Sequence, residues 1–229
     1  MLSGVKKLPA ATAAVFAVTA VPSLLQFALP SLEIALRRDP ARIADGEWWR
    51  LGTSLLVQGG GPVGAAFNLV SLLVLGAIAE RALGPARWIA CYLAGAAAGQ
   101  AAGTWLGLVD AGNSIGVCGL AGGLAVAVAL GRADRLAGSV AAFYALLLVG
   151  GLFSGSVTVI VATSVIGAAG VQLVVHRDRL PIPVFPAIVV ATGLVLAVLA
   201  DLHGPALLSG AAVAGVVAGA LGAAPRSVH

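Results

Sequence analysis

Apolar residues run through this chain in stretches of about 20, divided by charges, prolines and glycine turns, which is the length a helix needs to cross a bilayer core. Eight stretches result, over 8–29, 63–83, 86–107, 114–131, 136–153, 156–175, 183–200 and 205–224. The fifth and sixth come from one apolar run of about 40 residues, twice the crossing length, and Ser154-Gly155-Ser156 is the natural turn within it. The pattern predicts an all-α, polytopic transmembrane helix bundle of about eight spans, forming a single membrane domain over 1–229.

Composition agrees. Of 229 residues, 60% are hydrophobic and 10% are charged, and mean hydropathy is +1.05, whereas a soluble domain carries about 25% charged residues. Thirty-one glycines beside long runs of Ala, Val and Leu fit helices packed closely in lipid. They do not fit the alternating strands of an outer-membrane barrel. The net charge of +4 matters less than where each charge falls, and nucleic acid is not expected as a partner.

Basic residues accumulate on the cytoplasmic side of short loops. With the N-terminus inside, Lys6, Lys7, Arg81, Arg87, Arg132, Arg135, Arg177, Arg179 and Arg226 are all cytoplasmic. Arg37, Arg38, Arg42 and Arg50 fall in one long outer loop with Glu33, Asp39, Asp45 and Glu47. The expectation is a multi-pass protein of the inner (plasma) membrane with both termini cytoplasmic. The Lys pair before the first apolar run looks like a signal peptide's start, but the run is long and shows no convincing cleavage site, so it is read as a retained helix.

The outer segment 32–61 carries Trp48-Trp49-Arg50 and ends in Gly59-Gly60-Gly61-Pro62. Indoles favour the headgroup zone and a neighbouring guanidinium reaches phosphate, so the segment is expected to lie in the interface, its backbone satisfied by protein or headgroups. Gly95, Gly99 and Gly103 share one helical stripe in the third span, where small residues admit a neighbouring helix. Cys91 and Cys118 both sit inside apolar runs, which argues against a disulfide framework.

Polar groups inside spans are expensive and mark candidate sites. Here they are Asn68 and Glu80 in the second span, Gln100 in the third, Cys118 in the fourth, Thr163, Ser164 and Gln172 in the sixth, and His203 at the mouth of the eighth. Glu80, between Gly76 and Gly84, is expected to be a structural acid that accepts N–H groups while those glycines admit a neighbouring helix. The fourth span opens Gly112-Asn113-Ser114-Ile115-Gly116-Val117-Cys118-Gly119. A cysteine near a helix start sees unpaired N–H groups and the positive dipole end, a setting for a nucleophile, although a cysteine among glycines also serves as a small packing residue. No metal cluster, phosphate loop or nucleotide motif is present, so no cofactor is expected.

Taken in order, these stretches resemble the rhomboid family of intramembrane proteases. Trp49-Arg50 resembles the family's Trp-Arg motif and Asn68 its oxyanion asparagine. Gly76-x-x-x-Glu80-x-x-x-Gly84 resembles its glycine and glutamate motif, and Gly116-Val117-Cys118-Gly119 falls where the family has Gly-x-Ser-Gly. His203 with Ala206 and Gly210 resembles the last motif, a histidine followed by small residues at plus three and plus seven. The likeness is close over about 8–131 and looser over the additional, divergent spans 136–224.

The resemblance implies a peptidase that cleaves transmembrane proteins near the outer interface. Cys118 would be the nucleophile, His203 the base, and Asn68 with the N–H groups of Gly116 and Gly119 the oxyanion hole. Four departures stand against this. Cysteine replaces serine, the family histidine four positions before Asn68 is Gly64, and the tyrosine expected four after the nucleophile is Gly122. His203 also lies two spans beyond the family position for the base. The rival reading is therefore a pseudoprotease that binds transmembrane helices without cutting them. A transporter or channel ranks last, for want of charge near the midplane.

Overall fold

The computed structural model describes residues 7–150 and 156–222. The turn at Ser154-Gly155 and the charges of Lys6 and Arg226 lie outside the described residues. Each of the eight apolar stretches holds one long helix: α1 (Ala10–Leu25), α5 (Gly61–Leu83), α6 (Pro85–Trp105), α7 (Ser114–Ala129), α8 (Arg135–Gly150), α9 (Ser156–Val175), α10 (Val184–Val198) and α11 (His203–Gly222). Three short helices, α2 (Pro30–Leu36), α3 (Pro40–Ala44) and α4 (Arg50–Thr53), fill the segment between α1 and α5. Among the described residues there is no strand, only an isolated bridge between Arg38 and Asp110. By length and composition, Gly61–Leu83 and His203–Ala220 are long and apolar enough to cross a membrane, and α1, α7, α8 and α10 are shorter apolar helices.

The bundle is organised about α7, which is buried along almost its whole length. A helix apolar on every side must be enclosed on every side, and α5, α6, α8, α10 and α11 all pack against it. On the periphery, α1 rests on α5 and α6, while α9 rests on α8.

Glycine permits the closest of these contacts. A Cβ on Gly95 would fall 2.5 Å from the Ile115 carbonyl oxygen, one on Gly99 would meet the Ile115 side chain, and one on Gly103 would meet the Arg38 guanidinium. The stripe expected on the third span is therefore buried against neighbours. Gly210 likewise meets the Gly119 backbone and Gly122 the Leu207 carbonyl, so α7 and α11 touch backbone to backbone.

The Gly76, Glu80, Gly84 motif fastens α1 to α5. Glu80 is buried and accepts hydrogen bonds from the Ala11 N–H at 3.0 Å, the Thr12 N–H at 2.7 Å and the Thr12 hydroxyl at 2.7 Å. It thereby caps a helix start that has no side-chain cap of its own. Gly76 lets Thr12 approach and receives the Trp88 indole N–H on its carbonyl at 2.9 Å. Gly84 does a different job from the close helix approach expected of it: its φ of 77° ends α5, and nothing lies near its α-carbon on the open side. Glu80→Ala leaves the part-buried Ala11 N–H and the buried Thr12 N–H without an acceptor, an expected loss of about 1–3 kcal/mol. Thermal unfolding in detergent should show this, with Glu80→Gln losing less because it keeps one oxygen.

Arg50 departs from the interfacial expectation. Its side chain turns inward, 3% exposed, and donates to Glu47 at 2.6 Å and to the carbonyls of Ile34 and Arg37 at 3.1 and 3.0 Å. A guanidinium has five donors in a fixed fork, and here it ties α2 to α4 instead of reaching a phosphate. Trp48 and Trp49 remain exposed. The loop backbone is satisfied against protein, with Gly59 N–H on the Ala111 carbonyl and Gly112 N–H on the Ser54 carbonyl, both at 2.9 Å.

Candidate functional site

The site forms where α7 and α11 begin. The two helices run in the same direction and touch at Gly119 and Gly210. Stepping back five residues on α7 and seven on α11 brings their first residues, Ser114 and His203, to one end of the bundle. There the Ser114 hydroxyl and His203 Nε2 are 3.0 Å apart. The other ring nitrogen, Nδ1, is 2.8 Å from Asp201 Oδ1, and the same oxygen accepts the His203 backbone N–H at 2.8 Å.

This differs from the pairing expected for Cys118. At a rise of about 1.5 Å per residue, Cys118 lies some 6 Å deeper along α7 than Ser114. Fully buried, its sulfur is 3.8 Å from the Tyr144 hydroxyl. Tyr144 also donates to the Ser114 carbonyl at 3.3 Å, so Cys118 and Tyr144 form a floor beneath the serine and histidine. A histidine that enters at the first position of α11 reaches the first position of α7, not the fifth.

Asn68 joins the group from α5. A Cβ placed on Gly112 would be 3.1 Å from Asn68 Nδ2, 3.4 Å from Gln58 Oε1 and 3.7 Å from Ser114 Oγ, so three polar side chains converge on this turn. Gln58 accepts from Asn68 Nδ2 at 2.7 Å. It is itself held by Ser23 and Gln26 of the first apolar segment. Gly64 carries no side chain because none fits: a Cβ there would lie 2.5 Å from the Gly59 carbonyl oxygen.

Of the N–H groups expected around the oxyanion, that of Gly116 is in the first turn of α7, where no helical carbonyl precedes it. The N–H of Gly119 lies one turn further in, where the helical ladder commits it to the Ile115 carbonyl. Gly116 also faces the Tyr92 ring, and Gly119 faces Gly95 and Cys91 of α6, away from the serine. The first free N–H beside the hydroxyl belongs to Ser114 itself.

Beside the site, an apolar groove of about 640 Å³ opens between α5 and α8. Phe67 and Tyr144 stack across it with ring centroids 6.1 Å apart. Asp201 has environment enough to stay ionised. Burial works to raise its carboxyl, but the hydrogen bonds and charge of His203 outweigh that and hold it below the usual value of 3.8. Among the described residues no cluster of His, Cys, Asp and Glu could hold a metal ion.

Sequence reading missed Ser114, Gln58 and Tyr144. A signal for the first was present: Gly112-Asn113-Ser114 already places a serine two residues after a glycine, with Ile115 in the position of the pattern's second glycine.

Comparison with known proteins bears on the family, and His203 and Asp201 fall outside the matched residues. The Rhomboid domain model matches residues 45–171. A curated Bacillus subtilis (strain 168) protein, "Putative rhomboid protease YdcA", is 37% identical over 73 residues, which are 30% of this chain and 36% of the relative. The chain thus spans about a third of that relative's length. No solved structure matches.

Proposed function

The chain belongs to the rhomboid family, a family of membrane proteins, and from that premise we propose that it is an intramembrane serine peptidase with Ser114 as nucleophile and His203 as base. The observation that carries this reading is the 3.0 Å contact between Ser114 Oγ and His203 Nε2 at the joined starts of two helices. That is hydrogen-bond reach for proton abstraction.

In the proposed reaction, Ser114 Oγ attacks the carbonyl carbon of a peptide bond and its proton passes to His203 Nε2. The carbonyl π pair moves onto oxygen, where the Ser114 N–H and Asn68 Nδ2 stabilise it. Collapse expels the amine, which takes the proton from His203 and leaves an acyl-serine. Water, deprotonated by His203, then hydrolyses that ester and restores the serine.

Substrate class follows from the groove. Its lining, from Val63 and Val70 on α5 to Phe143 and Leu147 on α8, is almost wholly apolar, which suits a transmembrane helix entering from lipid. A helix with small, destabilising residues would unwind most readily past Phe67 and Tyr144 to present an extended bond to Ser114. We place the enzyme in the plasma membrane as one domain with both termini cytoplasmic and the site toward the outer face, a placement supported by the distribution of Lys and Arg.

One observation favours the pseudoprotease: position 64 offers no donor, and the Gly59 carbonyl leaves no room for one. Asn68 distinguishes the two. If the oxyanion rests on it, Asn68→Ala should lower kcat about 100- to 1000-fold with little change in KM. The assay is cleavage of a transmembrane reporter in proteoliposomes. No cleavage by wild-type protein of any reporter with a destabilised helix, together with intact binding, would establish the rival.

A further inference from the structure

The resemblance that led to this site implies a two-membered arrangement of nucleophile and base, yet the histidine here has a third partner. Asp201 Oδ1 sits 2.8 Å from His203 Nδ1, on the far side of the ring from Ser114. We propose that Asp201 is a positioning residue that fixes His203 in the Nδ1–H tautomer and orients Nε2 onto Ser114, giving a Ser–His–Asp line on this scaffold. The proposal rests on the peptidase reading above.

The geometry is built, not incidental. The turn between α10 and α11 is closed by the Ala200 N–H on the Ala197 carbonyl at 3.2 Å and the Asp201 N–H on the Leu196 carbonyl at 2.9 Å. It places Ala200 at a φ of 56°, a left-handed conformation that residues with a Cβ seldom adopt. Gly204 then presses against Gly193 and Ala197 of α10, where a side chain would not fit. Asp201 and His203 are thus held by a tight hairpin and not by a free loop. Side-chain exposures of 27% and 24% leave the pair partly shielded.

A ring with Asp201 on Nδ1 has one proton to place. With that proton on Nδ1, donated to the carboxylate, Nε2 keeps its lone pair toward the Ser114 hydroxyl and can take its proton. The imidazolium that then forms faces a carboxylate. The other side chains near this pair, Tyr144 on α8 and Cys118 on α7, are uncharged as phenol and thiol, and no basic group besides His203 pairs with Asp201 among the described residues.

A plain alternative exists, because the same Oδ1 also accepts the His203 backbone N–H and so caps the start of α11. Asp201→Asn separates the two roles, since asparagine caps as well as aspartate but carries no charge. The probe is a fluorophosphonate, which labels an activated serine, applied to full-length protein in proteoliposomes across pH 5–9. Loss of labelling in Ser114→Ala establishes the nucleophile independently of Asp201.

The expected result is that Asp201→Asn keeps the wild-type melting temperature while its labelling rate at pH 7 falls at least about tenfold. The upper bound is the ~10⁴-fold loss measured for the equivalent change in a serine protease. Asp201→Glu should recover part of the rate. A wild-type rate in Asp201→Asn would overturn the proposal and leave a helix cap.

A second readout does not depend on activity. In ¹⁵N-histidine-labelled protein, with the His203 signal assigned by its loss in His203→Gln, neutral His203 should be protonated on Nδ1. Protonation on Nε2 would overturn the proposal even if Ser114 labels. Labelling that survives Ser114→Ala, with Nδ1 protonated, would sink the nucleophile assignment alone.

Discussion

Ser114→Ala is expected to abolish cleavage of a transmembrane reporter, by about 10³-fold or more, because removing a serine nucleophile leaves only binding and oxyanion stabilisation. Cys118→Ala is expected to do little. Its sulfur is buried beneath the site against Tyr144, where it acts as a small apolar group whose loss changes packing more than chemistry. Proteoliposomes and a reporter with small, helix-destabilising residues make the comparison direct, with folded yield followed in parallel. A thiol-directed reagent should leave the wild type active for the same reason. Should Cys118→Ala abolish cleavage while Ser114→Ala preserves it, the assignment reverses to the one that the Gly116-x-Cys118-Gly119 pattern suggested.

Gly210→Val should be as damaging by another route. A Cβ at 210 would overlap the Gly119 carbonyl, a backbone atom that cannot swing aside. The helices must then separate, at an expected cost of about 1–3 kcal/mol for overpacking a tight contact. Separation moves His203 off Ser114, so activity should fall further than stability does. A melting temperature in detergent and a fluorophosphonate labelling rate on the same preparation would resolve the two effects. A conservative Gly215→Ala, at a position with open space around its α-carbon, should leave both unchanged.

The helices were legible because their signal is simple. Long apolar runs broken by glycine, proline and charge located all eight, and 156–175 matches the observed bounds of α9. The third span's glycine stripe and the acceptor role of Glu80 followed from residue spacing and from the cost of unpaired polar groups in a membrane. His203 was legible as a polar group at the mouth of a span.

The partner of His203 was not, since matching both glycines of the family pattern points to Cys118, one helical turn beyond the Ser114 that His203 contacts. Sequence order misled as well. Counting spans placed His203 too far along the chain, yet α8 and α10 both flank α7 while α9 stays outside, so α11 returns to the centre. Neither the inward turn of Arg50 nor the approach of Tyr144 from α8 has any local signature, because each depends on contacts distant in sequence.

The reliance of α7 on its neighbours has a bearing on biosynthesis. Eighty-nine positions separate Ser114 from His203, and the face of α7 at Gly122 stays uncovered until α11 emerges and inserts. Throughout translation of the intervening segments the nascent chain therefore holds Ser114 without its histidine partner, in a helix whose low intrinsic propensity makes it reliant on tertiary packing. A ribosome stalled before residue 203 leaves a product in which Ser114 lacks the His203 contact. On the peptidase reading, the arrival of α11 would switch on hydrolysis, and the bilayer would be shielded from a half-built protease by the order in which its parts are made.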